Sequence, residues 1–473
     1  MKLKLDQVAF HPFSQVDCSG RVFSWEGGLY RAISGERAPF YQHLLSGGIL
    51  RDLIRRQLLI DTEISDLELD GYAFVLKHRT LPFVSHCYEW CGEMLKAAAL
   101  AVLELERELL KHGLTLQDAH PYNVLFAGPM PVWVDLGSVV PDCPGEPWHA
   151  HEEFLAYYTR PLKIMAAGHS GIARSLLRNG GSELGVGVQQ RDLEAITGIT
   201  FADMIKDKAT AGIKTVAREA FPSKLQALAS RATRSIARSL PFGGTRETIS
   251  VVDNAIQEIE SIRLVQPSTI WSDGYGTNFP DFVTTTHWTI KHRSVAQILV
   301  AKKPGSVLDI GSNRGWYSQL TARNGAQVVS VDRNESWVTK LFFDAVTSQL
   351  PILPLVADFR TLNPMMAWAA APGIAYADRL RCDMVLALAL VHVLVFEQHL
   401  NFDLIVRGLS AFATKCLAVE FFDRDDRYVR EQLGDQFSWY NFENFLTALR
   451  REFREVTKFD SDEQHRWVLL CER

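Results

Sequence analysis

Two acids and two glycines in the last third of the chain have the types and spacing to hold a nucleoside. Asp309, Gly311, Asn313 and Gly315 lie in Val307-Leu-Asp-Ile-Gly-Ser-Asn-Arg-Gly-Trp316. Val307 to Ile310 reads as a strand buried on both faces. The glycines then open a tight turn, and Trp316 to Arg323 reads as the helix that follows. Such a turn lets a ligand approach the backbone at the carboxyl edge of a parallel sheet. Ala326 to Val331 is a second apolar strand, and it ends on Asp332. An acid there, about 20 residues past the turn, accepts hydrogen bonds from ribose hydroxyls. The dinucleotide pattern G-x-G-x-x-G is absent, so the glycines fit a dinucleotide site poorly.

A second set of chemical residues lies earlier. Leu116-Gln-Asp-Ala-His-Pro-Tyr-Asn123 precedes the expected strands Val124-Leu-Phe and Val132-Trp-Val-Asp135-Leu-Gly137. Asp118, Asn123 and Asp135 are spaced as the base and two metal ligands of a phosphoryl-transfer site, and the segment resembles the catalytic region of kinases. It also departs from that pattern. Leu116 replaces the usual histidine, and no glycine-rich phosphate loop exists beyond Gly27 and Gly28. Arg31 stands where a lysine is expected, which keeps the charge but not the geometry. The competing reading is that the three residues satisfy backbone groups in tight turns. The expectation is a degenerate kinase-like domain.

The D-x-G-x-N-x-G pattern resembles motif I of class I S-adenosylmethionine (SAM) methyltransferases. That resemblance implies SAM as cofactor, with Asp309, Gly311, Ser312, Asn313, Gly315 and Trp316 around its methionine part. It places Asp332 at the ribose, with Arg333 beside it among the cofactor-binding residues. The third strand, Ile352 to Asp358, then presents Asp358 and Phe359 to the adenine, although Asp358 could instead cap the next turn. Arg381 to His392 begins with a buried fourth strand whose carboxyl end, in this family, faces the transferred methyl. His392 there is a candidate proton acceptor. Glu420 on the fifth strand is a candidate base or orienter. Val456 to Phe459 and Arg466 to Cys471 resemble the fold's final antiparallel hairpin. No metal site is expected.

Several elements must position these residues. Residues 21 to 34 read as a hairpin turning at Gly27-Gly28, helical spacing runs from Pro39 to Gln57, and Tyr72 to Lys77 reads as a strand. A long helix is expected from Glu89 to His112, stopped by Gly113. Lys206 to Arg246 carries nine Lys or Arg against Asp207 and Glu219. It includes a helical stretch, Ile213 to Leu240, read as a solvated basic face rather than a nucleic-acid or membrane element. Val251 to Leu264 is a further helix, and Thr289 to Val300 precedes motif I. The expected domains are a kinase-like region at 1–167, a basic linker or cover at 168–265, and an α/β methyltransferase with a mostly parallel seven-stranded sheet at 266–473.

With 473 residues, 47% hydrophobic and 22% charged, the chain has the composition of a globular protein with two or three domains. A net charge of −5 gives no global pull towards nucleic acid. Seven dispersed cysteines fit reduced thiols rather than zinc, and the amino terminus lacks a signal-peptide core. A cytoplasmic protein without membrane insertion is expected. The motifs together resemble a bacterial group of SAM-dependent methyltransferases that includes NoeA-type nodulation proteins. The function implied is methyl transfer to an oxygen of a small molecule or saccharide. The alternatives are an ATP- and magnesium-dependent phosphotransferase using the first unit, or a SAM-binding protein without catalysis.

Overall fold

The computed structural model describes residues 1–12, 14, 20–143, 147–180, 246–265, 280–362 and 376–473. The basic helix expected over Ile213 to Leu240 and the start of the second globular region at Trp271 to Tyr275 lie outside them. The chain forms two compact units. The first comprises 1–81, 95–125 and 131–265, and the second comprises 82–94, 126–130 and 266–473.

The first unit is built on a five-stranded antiparallel sheet in the spatial order Ala9–Phe10, Gly20–Trp25, Gly28–Ile33, Phe74–His78, Thr62–Ile64. Its central hairpin turns at Glu26-Gly27, where both residues have positive φ. The single helix expected from Pro39 to Gln57 is two, Ala38–Ser46 and Ile49–Arg55. Gly48 between them adopts φ 76°, which breaks the helical path while the apolar periodicity continues across it.

The second unit holds a seven-stranded mixed sheet. In chain order its strands are β1 (Ser306–Ile310), β2 (Gln327–Asp332), β3 (Ile352–Val356), β4 (Cys382–Ala387), β5 (Ala413–Phe422), β6 (Glu455–Asp460) and β7 (Arg466–Glu472). Their spatial order is β3-β2-β1-β4-β5-β7-β6. β1 to β5 run parallel, and β7 runs antiparallel to both β5 and β6. The order reverses direction between β1 and β4, so their carboxyl ends form a crevice where ligands bind in such sheets. All five residues of β3 and four of the five in β1 are buried, as a strand covered on both faces requires.

Four helices position the edge of that crevice: α1 (Ile290–Lys302), α2 (Trp316–Arg323), α3 (Glu335–Thr347) and α4 (Val391–Phe396). The Thr289 hydroxyl caps α1 by accepting from the His292 N–H, and the Asn334 side chain caps α3 by accepting from the Ser336 N–H. Among the described residues no helix is long and apolar enough to cross a membrane.

Candidate functional site

The loop after β1 is held by β2. The Gly311 and Ser312 N–H groups donate to the Val331 carbonyl at 2.9 and 3.1 Å. Gly311 and Gly315 have φ 73° and 76°, a region costly for other residues. A Cβ on Gly315 would come within 2.5 Å of Leu341, and one on Gly311 within 3.0 Å of Leu390. Positive φ is the firm constraint on both glycines, and the Leu341 and Leu390 side chains would have to shift to admit a Cβ.

Asp309 is 2% exposed, and its carboxylate accepts from the Ser318 hydroxyl at 2.6 Å. Burial pushes its pKa up to about 6, and the nearby Asp332 charge adds to that shift. Asp309 therefore pins α2 to the sheet from behind the loop. Asp332 is also buried, and burial raises its pKa despite two backbone donors. Its two oxygens accept from the Asn313 and Asn334 N–H groups, each at 2.8 Å.

The other expected cofactor residues divide. Trp316 packs away into a cluster with Phe282, Trp288 and His292, and its indole N–H donates to the Pro280 carbonyl at 3.0 Å. Asp358 caps the turn after β3, accepting from the Arg360 N–H at 2.8 Å, and Phe359 is 4% exposed. Arg333 is exposed and pairs with Glu397 at 3.0 Å. The neighbouring Gln398 amide nitrogen donates to Asp358 at 3.3 Å. The turn after α4 thus reaches the ends of both β2 and β3.

At the end of β4, Ala389 has φ 52°, an uncommon conformation for alanine. Its N–H donates to Glu420 at 2.9 Å. Glu420 is 1% exposed and also accepts from Lys291 Nζ and the Ser461 hydroxyl, each at 2.6 Å. With both oxygens engaged, Glu420 is an anchor for the β4 edge and for α1, not a carboxylate with a free proton-accepting face. Lys291 and Ser461 carry no motif and emerge only from this packing.

His392 stacks on Phe422 at 4.3 Å between ring centroids, and burial lowers its pKa to about 4. It is therefore a neutral imidazole at neutral pH. Among the described residues, His392 Nδ1, Ser312 Oγ and Gln398 Oε1 are buried without a hydrogen-bond partner. All three belong to segments at the carboxyl edge of the sheet. They lie on the same side of the sheet as the glycine loop and Asp332.

The first unit brings its chemical residues together differently. Arg31 Nη2 pairs with Asp135 Oδ1 at 2.7 Å, and that oxygen also accepts from the Gly137 N–H at 2.9 Å. Asn123 Nδ2 donates to Asp118 at 2.7 Å. Burial raises Asp118 to about 6, reinforced by the charges of Asp135 and Glu153. The strand expected to run through Asp135 ends at Trp133, and Asp135 caps the short turn Leu136–Ser138. Among the described residues, no group of three or more His, Cys, Asp or Glu is placed to hold a metal ion.

No protein-family model matches the chain. Over 456 residues it is 28% identical to nodulation protein NoeA of Rhizobium meliloti (strain 1021), covering 93% of this chain and 91% of the relative. Among solved structures it is similar to magnesium protoporphyrin IX methyltransferase from Synechocystis PCC 6803 with bound S-adenosylhomocysteine (SAH). That likeness has 19% identity and a TM-score of 0.30, over 43% of this chain and 92% of the other. Monomeric WbdD is similar at 16% identity and a TM-score of 0.30, over 44% of this chain and 45% of WbdD.

Proposed function

We propose that this homologue of NoeA is a class I SAM-dependent methyltransferase whose active site lies in the second unit. The observation that carries the reading is the sheet order β3-β2-β1-β4-β5-β7-β6 with β7 reversed, together with the glycine loop packed on the acid that ends β2. In this reading Gly311 to Gly315 hold the methionine part of SAM, with Ser312 Oγ offered to its polar groups. Asp332 receives the ribose hydroxyls. Asp358 and Phe359 border the adenine.

SAM when bound supplies an electrophilic methyl carbon, so the protein's task is alignment of the acceptor with that carbon and sulfur. Glu420 fixes the Ala389 turn and the amino end of α1, and so the edge from which His392 projects. His392 is unprotonated at neutral pH and presents Nδ1 to a hydroxyl nucleophile, taking up its proton as the bond forms. The acceptor is assigned to an oxygen of a small molecule or saccharide. The name of the relative, nodulation protein NoeA, makes nodulation-related compounds the first acceptors to try.

The test is transfer of labelled methyl from SAM to a panel of saccharides and small hydroxylated compounds. The reading expects label in one class of acceptor, lost in Gly311→Arg and reduced about a hundredfold or more in His392→Ala. SAM binding with no transfer to any acceptor would leave a binding protein. Failure to bind SAM would end the reading.

A further inference from the structure

Three side chains form a row where β5 ends. Phe422 is the last residue of β5 and lies directly opposite Arg466, the first residue of β7, in the antiparallel ladder. Opposed residues of such a ladder share one face of the sheet, so their side chains meet. The Arg466 guanidinium carbon is 4.1 Å from the centre of the Phe422 ring. The other neighbour of β5 in the sheet is β4, which leads into α4. From α4, His392 lays its imidazole on the same ring, with 4.3 Å between centroids and 15° between planes.

Arg466 is itself held. Its Nε donates to Asp426 Oδ2 at 2.6 Å, and the Asp426 side chain is 1% exposed. Asp426 Oδ1 accepts from the Tyr428 N–H at 2.9 Å, which fixes the carboxylate on the loop after β5. Glu463 lies 3.3 Å from Arg466 Nη2. A guanidinium fixed by its fork and lying on an aromatic ring is a planar support that an ammonium cannot copy.

We propose that Arg466 is a positioning residue for methyl transfer, holding the His392 imidazole in its plane through the Phe422 ring. The inference rests on His392 being the proton acceptor of the reading above. A ring stacked on a braced ring keeps its edge in one direction, as a group aligned with a hydroxyl must. The same row acts on its charge. Glu420 of β5 and Asp426 of the following loop favour the imidazolium, while Arg466 of β7 and Lys291 of α1 oppose it. Loss of Arg466 removes a cation and leaves both acids, so the imidazole then takes up a proton at higher pH.

The experiment is NMR of the full chain labelled at its histidine and phenylalanine rings, with His392→Gln identifying the His392 signal. Wild type should show contact between the His392 and Phe422 rings and stay neutral down to about pH 4. Arg466→Met should lose the contact and raise the midpoint by about one pH unit. Arg466→Lys keeps the charge without the plane, so it should weaken the contact and leave the midpoint near that of wild type. If Arg466→Met does not fold, the double variant Arg466→Met with Asp426→Asn leaves no unpaired buried charge, and it too should lose the contact. In the labelled-methyl assay Arg466→Met should transfer about tenfold more slowly, with SAM affinity within about twofold of wild type. A folded Arg466→Met with contact and midpoint unchanged, or a double variant with the contact intact, overturns the role of Arg466. Wild type that fails to bind SAM, or that transfers no faster than His392→Ala, overturns the reading beneath it instead.

Discussion

The two units each gather acids, amides and a basic residue, and they use them differently. In the first, Arg31 occupies the Asp135 oxygen that a metal would need, and Asn123 is bonded to Asp118. Two of its histidines, His78 and His120, retain a buried unpaired ring nitrogen, but the carboxylates of its motif are engaged with the protein. In the second, Asp309 and Glu420 are likewise engaged with the protein, and Ser312, His392 and Gln398 each keep a buried atom without a hydrogen-bond partner among the described residues. A motif that satisfies itself serves folding.

That comparison can be broken most strongly at Lys291. Lys291→Met leaves the Glu420 carboxylate buried without its counter-charge, and should cost about 3–5 kcal/mol of unfolding free energy in urea. A loss below about 1 kcal/mol would mean that the Lys291–Glu420 pair does not hold this edge, and the anchoring role of Glu420 would fall. Next is the loop. Gly311→Arg should weaken SAM binding by at least about a hundredfold, because an arginine there meets both positive φ and Leu390. A folded variant with full SAM affinity would remove the loop from the site.

Asp309 sharpens the same side through pH. Its folded pKa, about 6, lies above the unfolded carboxylate value, so the native state binds its proton more tightly. The contribution is complete below the unfolded pKa and is lost as pH rises through about 6. His392, lowered to about 4, acts in the opposite sense, contributing stability above its unfolded pKa that is lost as pH falls through about 4. The difference between wild type and Asp309→Asn isolates the acid. Relative to the variant, wild type should lose up to about 1.4 kcal/mol per pH unit between roughly pH 4 and 6. A flat difference would show that Asp309 is ionised throughout.

The smallest effect is expected in the first unit. Arg31→Met should cost about 1–2 kcal/mol, since the Asp135 side chain is 27% exposed and can be rehydrated. SAM affinity should stay within about twofold, because the lost contact belongs to the first unit and removes nothing from the loop after β1. A larger change in SAM binding would show that the two sites are coupled.

Local chemistry was legible in the sequence. The apolar run, the two glycines and the acid ending the next strand are neighbours along the chain, and glycine's torsional freedom names its own positions. The break at Gly48 was not legible, because apolar spacing alone does not register a left-handed residue. The local alternative for Asp358, a turn cap, holds in the structure, and only its contact with Gln398 adds more. Lys291, Ser461 and Gln398 were missed for one reason. Their partners Glu420 and Asp358 lie 40 to 129 residues away or across several strands, as with the buried pair of Arg379 and Glu89. Packing, not periodicity, brings them together.

The most direct test of where the chemistry resides is calorimetric titration of the full chain with SAM, with SAH and with ATP plus magnesium. The account predicts micromolar binding of SAM and SAH, lost in Gly311→Arg and retained in Asp135→Ala. Binding of ATP with magnesium alone, abolished by Asp135→Ala, would contradict it and move the active site to the first unit.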